Sequence, residues 1–147
     1  MLFFVLISMT LVANAQNIND SLSVDGLGDK FDAKDNITFV IHNDYNRDIF
    51  FSISLQEKVD DKWIDVLSDI FQDKFSTITN LYPLKRKDMK LIVWNTYLIP
   101  RVSVDGSAES PRPMCGCFRF VIKWQMVNDV EWHQLFSKDF QIKGCSE

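Results

Sequence analysis

The 147-residue chain carries a formal net charge of −4, and its residues are 46% apolar and 13% aromatic, with twelve Phe and four Trp. That mild acidity argues against a nucleic-acid binder, which needs a basic face. The apolar and aromatic content excludes a disordered chain and points to one domain of ordinary size with a substantial core.

The chain opens on an uncharged apolar run, Met1–Val12, followed by Ala13-Asn14-Ala15 and Gln16. An apolar run ending in a small-x-small triplet is the layout of a secretory signal peptide and predicts cleavage after Ala15. Residues 1–15 are thus read as signal and 16–147 as the exported domain. No Lys or Arg precedes the run, so only the α-amino group supplies positive charge there. The run is shorter than the ~20 residues that span a bilayer, so no membrane span is expected. Gln16 in place of Cys excludes a lipid anchor at the cut.

Period-two alternation of apolar residues, the strand signal, then recurs along the chain. Ile37, Phe39 and Ile41 alternate with Thr38, Val40 and His42. The turn formers of Asn43–Asp48 follow, joining two antiparallel strands, the second with Ile49, Phe51, Ile53 and Leu55 alternating with Phe50, Ser52, Ser54 and Gln56. Ile64 to Phe75 is the one stretch where a short helix is expected. Met89, Leu91 and Val93 alternate with Lys90, Ile92 and Trp94. A long connection, Asn95 to Pro113, holds Pro100, Pro111 and Pro113; loops of that length are functional or mobile. Phe118, Phe120, Ile122 and Trp124 form the next run. In the last, Phe136, Phe140 and Ile142 alternate with polar residues, with Lys138 interrupting the inner face. About seven short strands with turns between them predict an all-β, antiparallel β-sandwich. Phe39, Phe51, Leu91, Phe120 and Phe140 are expected in its core.

Several segments resemble the bacterial immunoglobulin-like domains of exported proteins. Asn36-Ile37-Thr38-Phe39-Val40-Ile41-His42-Asn43 is similar to that family's Asn-terminated strand, and Leu55-Gln56-Glu57-Lys58 with Asp61-Lys62-Trp63 to a later segment ending in Trp. Trp94 stands where the family tends to end a strand in Trp, and Gly116-Cys117-Phe118-Arg119-Phe120 resembles its Gly-x-Tyr-Arg strand. The resemblance runs over roughly residues 30 to 142. Phe118 replaces the usual Tyr, so no tyrosine-corner hydroxyl exists, and the Pro-rich connection before Gly116 is longer than usual. The resemblance implies an immunoglobulin-like fold and an exported, non-enzymatic accessory role, and transfers no catalytic residue.

Three cysteines, Cys115, Cys117 and Cys145, are the sharpest chemical feature. In an exported chain cysteines usually form disulfides, and three leave one over. Pairing Trp124 with Phe136, Phe120 with Phe140 and Phe118 with Ile142 places Cys115 opposite Cys145. A slip of two residues places Cys117 there instead. All three share the face of Arg119, Lys123 and Asp139, expected to meet water, so the bond reads as a surface staple on the last hairpin. Closing a loop of about 30 residues stabilises a fold by roughly 3–4 kcal/mol in the chain-entropy model. The competing use of the thiols, with Met114, is a soft-metal site for an ion such as Cu(I). Oxidation in an exporting compartment disfavours it, and a Cys115–Cys117 bond would be strained.

No other pattern carries chemistry. His42 and His133 fall at polar strand ends, outside any nucleophile or metal motif. Asp25, Asp29, Asp32 and Asp35 lack the spacing of a calcium loop and read as solvated turns. Leu84-Lys85-Arg86-Lys87 reads as a charged turn that keeps a strand edge soluble. Trp63 and Trp132 are candidates for partial exposure and recognition. No catalytic residue, metal or cofactor is expected, and the binding residues stay unassigned. The expected function is an exported or periplasmic accessory module that binds another exported or envelope protein or supports the cell envelope. A loop-plugging protease-inhibitor-like role for the 95–113 connection and the soft-metal site are the alternatives, although the Asn-Pro-Thr-Thr-Gly loop of chagasin-type inhibitors is absent.

Overall fold

The computed structural model describes residues 21–67, 69–71, 80–96 and 114–145. The signal segment with its cut at Ala15, and residues 97–113 of the long connection, lie outside the described residues. Ten strands are described: β1 Leu22–Asp25, β2 Lys30–Asp32, β3 Asn36–Asn43, β4 Ile49–Val59, β5 Lys62–Leu67, β6 Tyr82–Leu84, β7 Asp88–Asn95, β8 Gly116–Met126, β9 His133–Phe136 and β10 Phe140–Lys143. The short helix expected within Ile64–Phe75 is replaced, as far as it is described, by the end of β5. That strand runs to Leu67 against β4.

Two sheets form, with strand orders β1-β3-β7 and β2-β10-β8-β4-β5; β6 adds to β4 and β9 to β8. Every pairing is antiparallel except β2 with β10. The chain crosses from the first sheet to the second between β1 and β2, which lets β2 run parallel to the last strand. The two sheets pack apolar faces together as a sandwich, because each strand's alternation leaves one side in need of cover. Ile37, Phe39 and Ile41 of β3 face Ile49, Phe51, Ile53 and Leu55 of β4 and Phe118, Phe120 and Ile122 of β8 across a core in which all are essentially inaccessible. Phe120 is its centre: its ring lies 4.7 Å from Phe39, 5.0 Å from Phe140 and 5.5 Å edge-on from Trp94.

One expected core residue is misplaced. Leu91 is 63% exposed, and Ile92 and Trp94 take the inner face of β7. Alternation alone does not say which set faces in when both sets are apolar; the register of β7 on β3 decides it. Ile92 lies opposite the buried Phe39, and Trp94 opposite the buried Ile37.

The register of the last strands also differs from the expectation. Phe140 lies opposite Phe118, and Ile142 opposite Gly116, two residues from the pairing read in the sequence. In β9, Phe136 faces Val121 and His133 faces Trp124, so one residue of slip separates β9 from β10. Ser137 absorbs it. Its amide donates to the Phe120 carbonyl at 2.9 Å, and its hydroxyl accepts the Phe120 amide at 2.9 Å in place of a strand carbonyl. A side chain has replaced a backbone group, so Phe136 turns outward while Phe140 turns in.

Despite that register, the disulfide joins Cys115 to Cys145, with Cα atoms 6.0 Å apart. The ladder stops at Gly116, and both flanking glycines take positive φ, +145° at Gly116 and +82° at Gly144. Those turns, which side chains other than glycine resist, steer the two cysteines together beyond the last paired residues. A Cβ at Gly116 would also stand 2.9 Å from a Glu57 carboxylate oxygen. The bond is not the water-facing staple anticipated, for both cysteines pack against the edge of the core. Cys117 keeps a free thiol on the outer face of β8, opposite Gln141.

Candidate functional site

On the second sheet the odd residues of β8 and the even residues of β4 point away from the core, and their register builds the outer face row by row. Gln56 lies opposite Arg119, Ser54 opposite Val121, Ser52 opposite Lys123, and Phe50 opposite Gln125. From the flanks, Trp63 and Asp65 of β5 and Pro83 of β6 join on one side, and Gln134 and Phe136 of β9 on the other.

At one end of this face Arg119 is held flat between two rings. Its guanidinium carbon is 4.2 Å from the Trp63 ring and 4.0 Å from the Phe136 ring. Its Nε donates to Gln56 Oε1 at 2.9 Å, and the other end of that amide donates to Asp65 Oδ1 at 2.8 Å. Cation–π stacking and a hydrogen-bonded fork remove the freedom of a long side chain. The result is a rigid column across β5, β4, β8 and β9, with Phe136 still 43% exposed at its end.

At the other end lies a hollow of about 600 Å³ lined by Ser52, Leu81, Lys123, Trp132, His133 and Gln134. Trp132, leaving the β8–β9 turn, is 50% exposed and Leu81 is 46% exposed. That turn is tightly tied: Asp129 accepts the amides of Val130 and Glu131 and pairs with Arg47 at 3.7 Å. Those amides, with Arg47 and His133 beside it, hold the Asp129 carboxyl below its ordinary value. His133 stacks on the indole of Trp124 at 5.3 Å, which fixes one wall of the hollow.

The remaining candidates fall elsewhere. His42 is half-buried on β3 in the other sheet, so the fold keeps the two histidines apart. Asp25 caps the Gly26 amide, Asp35 accepts the Asp32 amide, and Asp29 pairs with Lys138, which makes these carboxylates turn residues. In the basic turn, Lys85 meets Asp48 at 2.9 Å. Among the described residues no group of three or more His, Cys, Asp or Glu is placed to hold a metal, and the disulfide takes two of the three thiols a soft-metal site would use.

Trp63 and Trp132 are both on the outer face, as their residue type suggested. Phe136 and Leu81 were not read as surface residues. The signal for Phe136 was the Ser137-Lys138-Asp139 interruption, which breaks the alternation just after it.

No protein-family model matches the sequence, and no curated protein matches it. Solved structures do align with it. The CsuC–CsuE chaperone–tip adhesion subunit pre-assembly complex of the archaic Csu pili of Acinetobacter baumannii aligns with a TM-score of 0.50 at 10% identity, over 84% of this chain and 52% of that one. The ASH/PapD-like domain of human CEP192 aligns at 0.43 and 12% identity, over 98% and 97%. A β-glucosidase from Listeria innocua aligns at 0.45 and 11%, over 84% of this chain but only 16% of the enzyme. The chain therefore spans a small part of the glucosidase and about half of the pilus-complex chain. With the first of these it shares an immunoglobulin-like sandwich.

Proposed function

We propose that the chain is an exported, non-enzymatic immunoglobulin-like accessory module that holds another protein of the cell exterior or envelope through the outer face of its second sheet. One observation carries this reading. Trp132, Leu81, Phe136 and Phe50 stand on a single face at 50%, 46%, 43% and 37% exposure, with Phe136 held against Arg119 and Trp132 following the Asp129 turn. Rigid aromatic groups exposed together are the material of recognition surfaces, because they bury much area for little entropy. The Cys115–Cys145 bond supports the exported location, since such bonds persist in oxidising compartments.

The test places a photoreactive phenylalanine analogue at position 132 and illuminates the native host. A discrete protein adduct is expected, lost when Phe136→Ala and Leu81→Ala are added while circular dichroism shows the fold retained. If the adduct forms equally from a control position on the opposite sheet, such as 38, the reading fails.

A further inference from the structure

Among the described residues, β9 pairs with β8 on one side and with no strand on the other. Ser137 donates inward to β8, and antiparallel bonding alternates, so Leu135 and His133 also turn their backbone groups to β8 while Gln134 and Phe136 turn theirs away. The strand that could have covered them, β2, pairs with β10 instead. Among the described residues the outward groups of Gln134 and Phe136 have no partner. Across the gap the same holds for β1. Asp44 donates to Ser21, so Ser23 and Asp25 serve β3 and the backbone of Leu22 and Val24 faces outward.

Two hollows flank this edge. Between β1 and β9 lies one of about 460 Å³, with Leu22, Leu27 and Leu135 among its walls. On the other side of β9 is the outer-face hollow with Lys123, Trp132 and Gln134. Among the described residues, none that lines that outer hollow is acidic and none gives Lys123 a carboxylate partner. His133–Phe136 is a short edge of four residues, and it carries no lysine, proline, aspartate or glutamate to block pairing.

We infer that the free edge of β9 accepts an added strand: an extended segment of another polypeptide whose side chains alternate between acidic and apolar. The inference rests on the protein-binding reading above and names its mode and chemistry. Main-chain bonds to Gln134 and Phe136 supply the pairing over about 13 Å, four residues at the usual strand rise. Side chains of one parity enter the gap against Leu22, Val24 and Leu135, between Asp25 and Lys138 at its rim, and those of the other pass over the outer face to Lys123 and Trp132.

The experiment uses the full chain and a short synthetic peptide alternating valine and glutamate, followed by amide hydrogen exchange. Saturable protection of the Gln134 and Phe136 amides is expected. A valine–lysine peptide should bind about tenfold more weakly or worse, through repulsion by Lys123. Gln134→Pro removes an outward N–H that β8 does not use, a place where an edge strand tolerates proline, and should abolish the protection. Lys123→Glu, an exposed substitution with little bearing on folding, should reverse the preference between the peptides. Equal protection by both peptides, none by either, or protection that survives Gln134→Pro overturns the inference. So does protection that rises with protein concentration alone, which would put a second copy on the edge. If the position-132 adduct persists in Gln134→Pro protein, strand addition falls while the protein-binding reading stands.

Discussion

Asn43 is wholly buried, yet every polar atom it brings is used. Its amide nitrogen donates to the carbonyls of Arg47 at 3.0 Å and Lys85 at 2.9 Å, and its oxygen accepts the Tyr45 amide at 3.1 Å. One side chain thus locks the β3–β4 turn onto the β6–β7 turn. Asn43→Ala strands those groups and should lower stability by about 1–3 kcal/mol in a urea titration. Asp69 does similar work between β5 and β6: it accepts the Phe71 amide at 2.9 Å and the Tyr82 hydroxyl at 3.1 Å. Burial, then the Asp69 carboxylate, pushes the Tyr82 phenol above its ordinary 10.0. The folded state therefore favours the protonated phenol. Its contribution is complete below pH 10 and disappears as pH rises through the higher folded value. Asp48 behaves oppositely: the Arg86 amide, then Lys85, holds it below 3.8, so its contribution is present above that value and disappears as pH falls further. The urea midpoint should therefore decline on both flanks, and Tyr82→Phe should flatten only the alkaline one.

Within single elements, one residue of slip has large effects. Because Ser137 replaces a strand carbonyl with its hydroxyl, β9 and β10 both follow β8 yet present opposite parities. Had the register run unbroken, Phe136 would lie in the core and the Arg119 column would lose a ring. The inner side of β8 and the outer side of β7 give a sharp contrast. Phe120→Ala empties a packed aromatic site and should cost about 3–5 kcal/mol. Leu91→Ala removes an exposed side chain and should change stability by less than about 0.5 kcal/mol. Equal losses would mean that the inner face of β7 has been assigned the wrong way round. The disulfide belongs to this scale too. Cys145→Ser should lower stability by roughly 3–4 kcal/mol in the chain-entropy model, and alkylation of intact protein should label Cys117 alone. A Cys117–Cys145 linkage in non-reducing peptide maps would contradict the glycine-steered geometry at Gly116 and Gly144.

For the whole molecule, the proposed exported location makes one direct claim: protein recovered from its native host should begin at Gln16, as Edman or mass-spectrometric end mapping would show, and an intact Met1 on cytoplasmic protein would refute it. The architecture was legible in the chain itself. Period-two alternation in β3, β4 and β8 is a local property, since successive side chains point to opposite faces, and two such faces must cover each other. Asn and Asp at the turns and the small number of glycines agreed with it. The cysteine pair was legible as well, although it formed for a reason other than strand opposition. What tertiary contact alone decided was everything that depends on which strand lies beside which. The inner face of β7 was set by β3, because both of its faces are apolar. The exposure of Phe136 was set by Ser137, because a side chain can stand in for a backbone acceptor. The pairing of β2 with β10, which among the described residues leaves β9 paired on one side alone, was set by the crossing between sheets. Alternation is carried by each residue's own geometry; register and neighbour choice are carried by contacts far apart in sequence, and only the folded chain contains them.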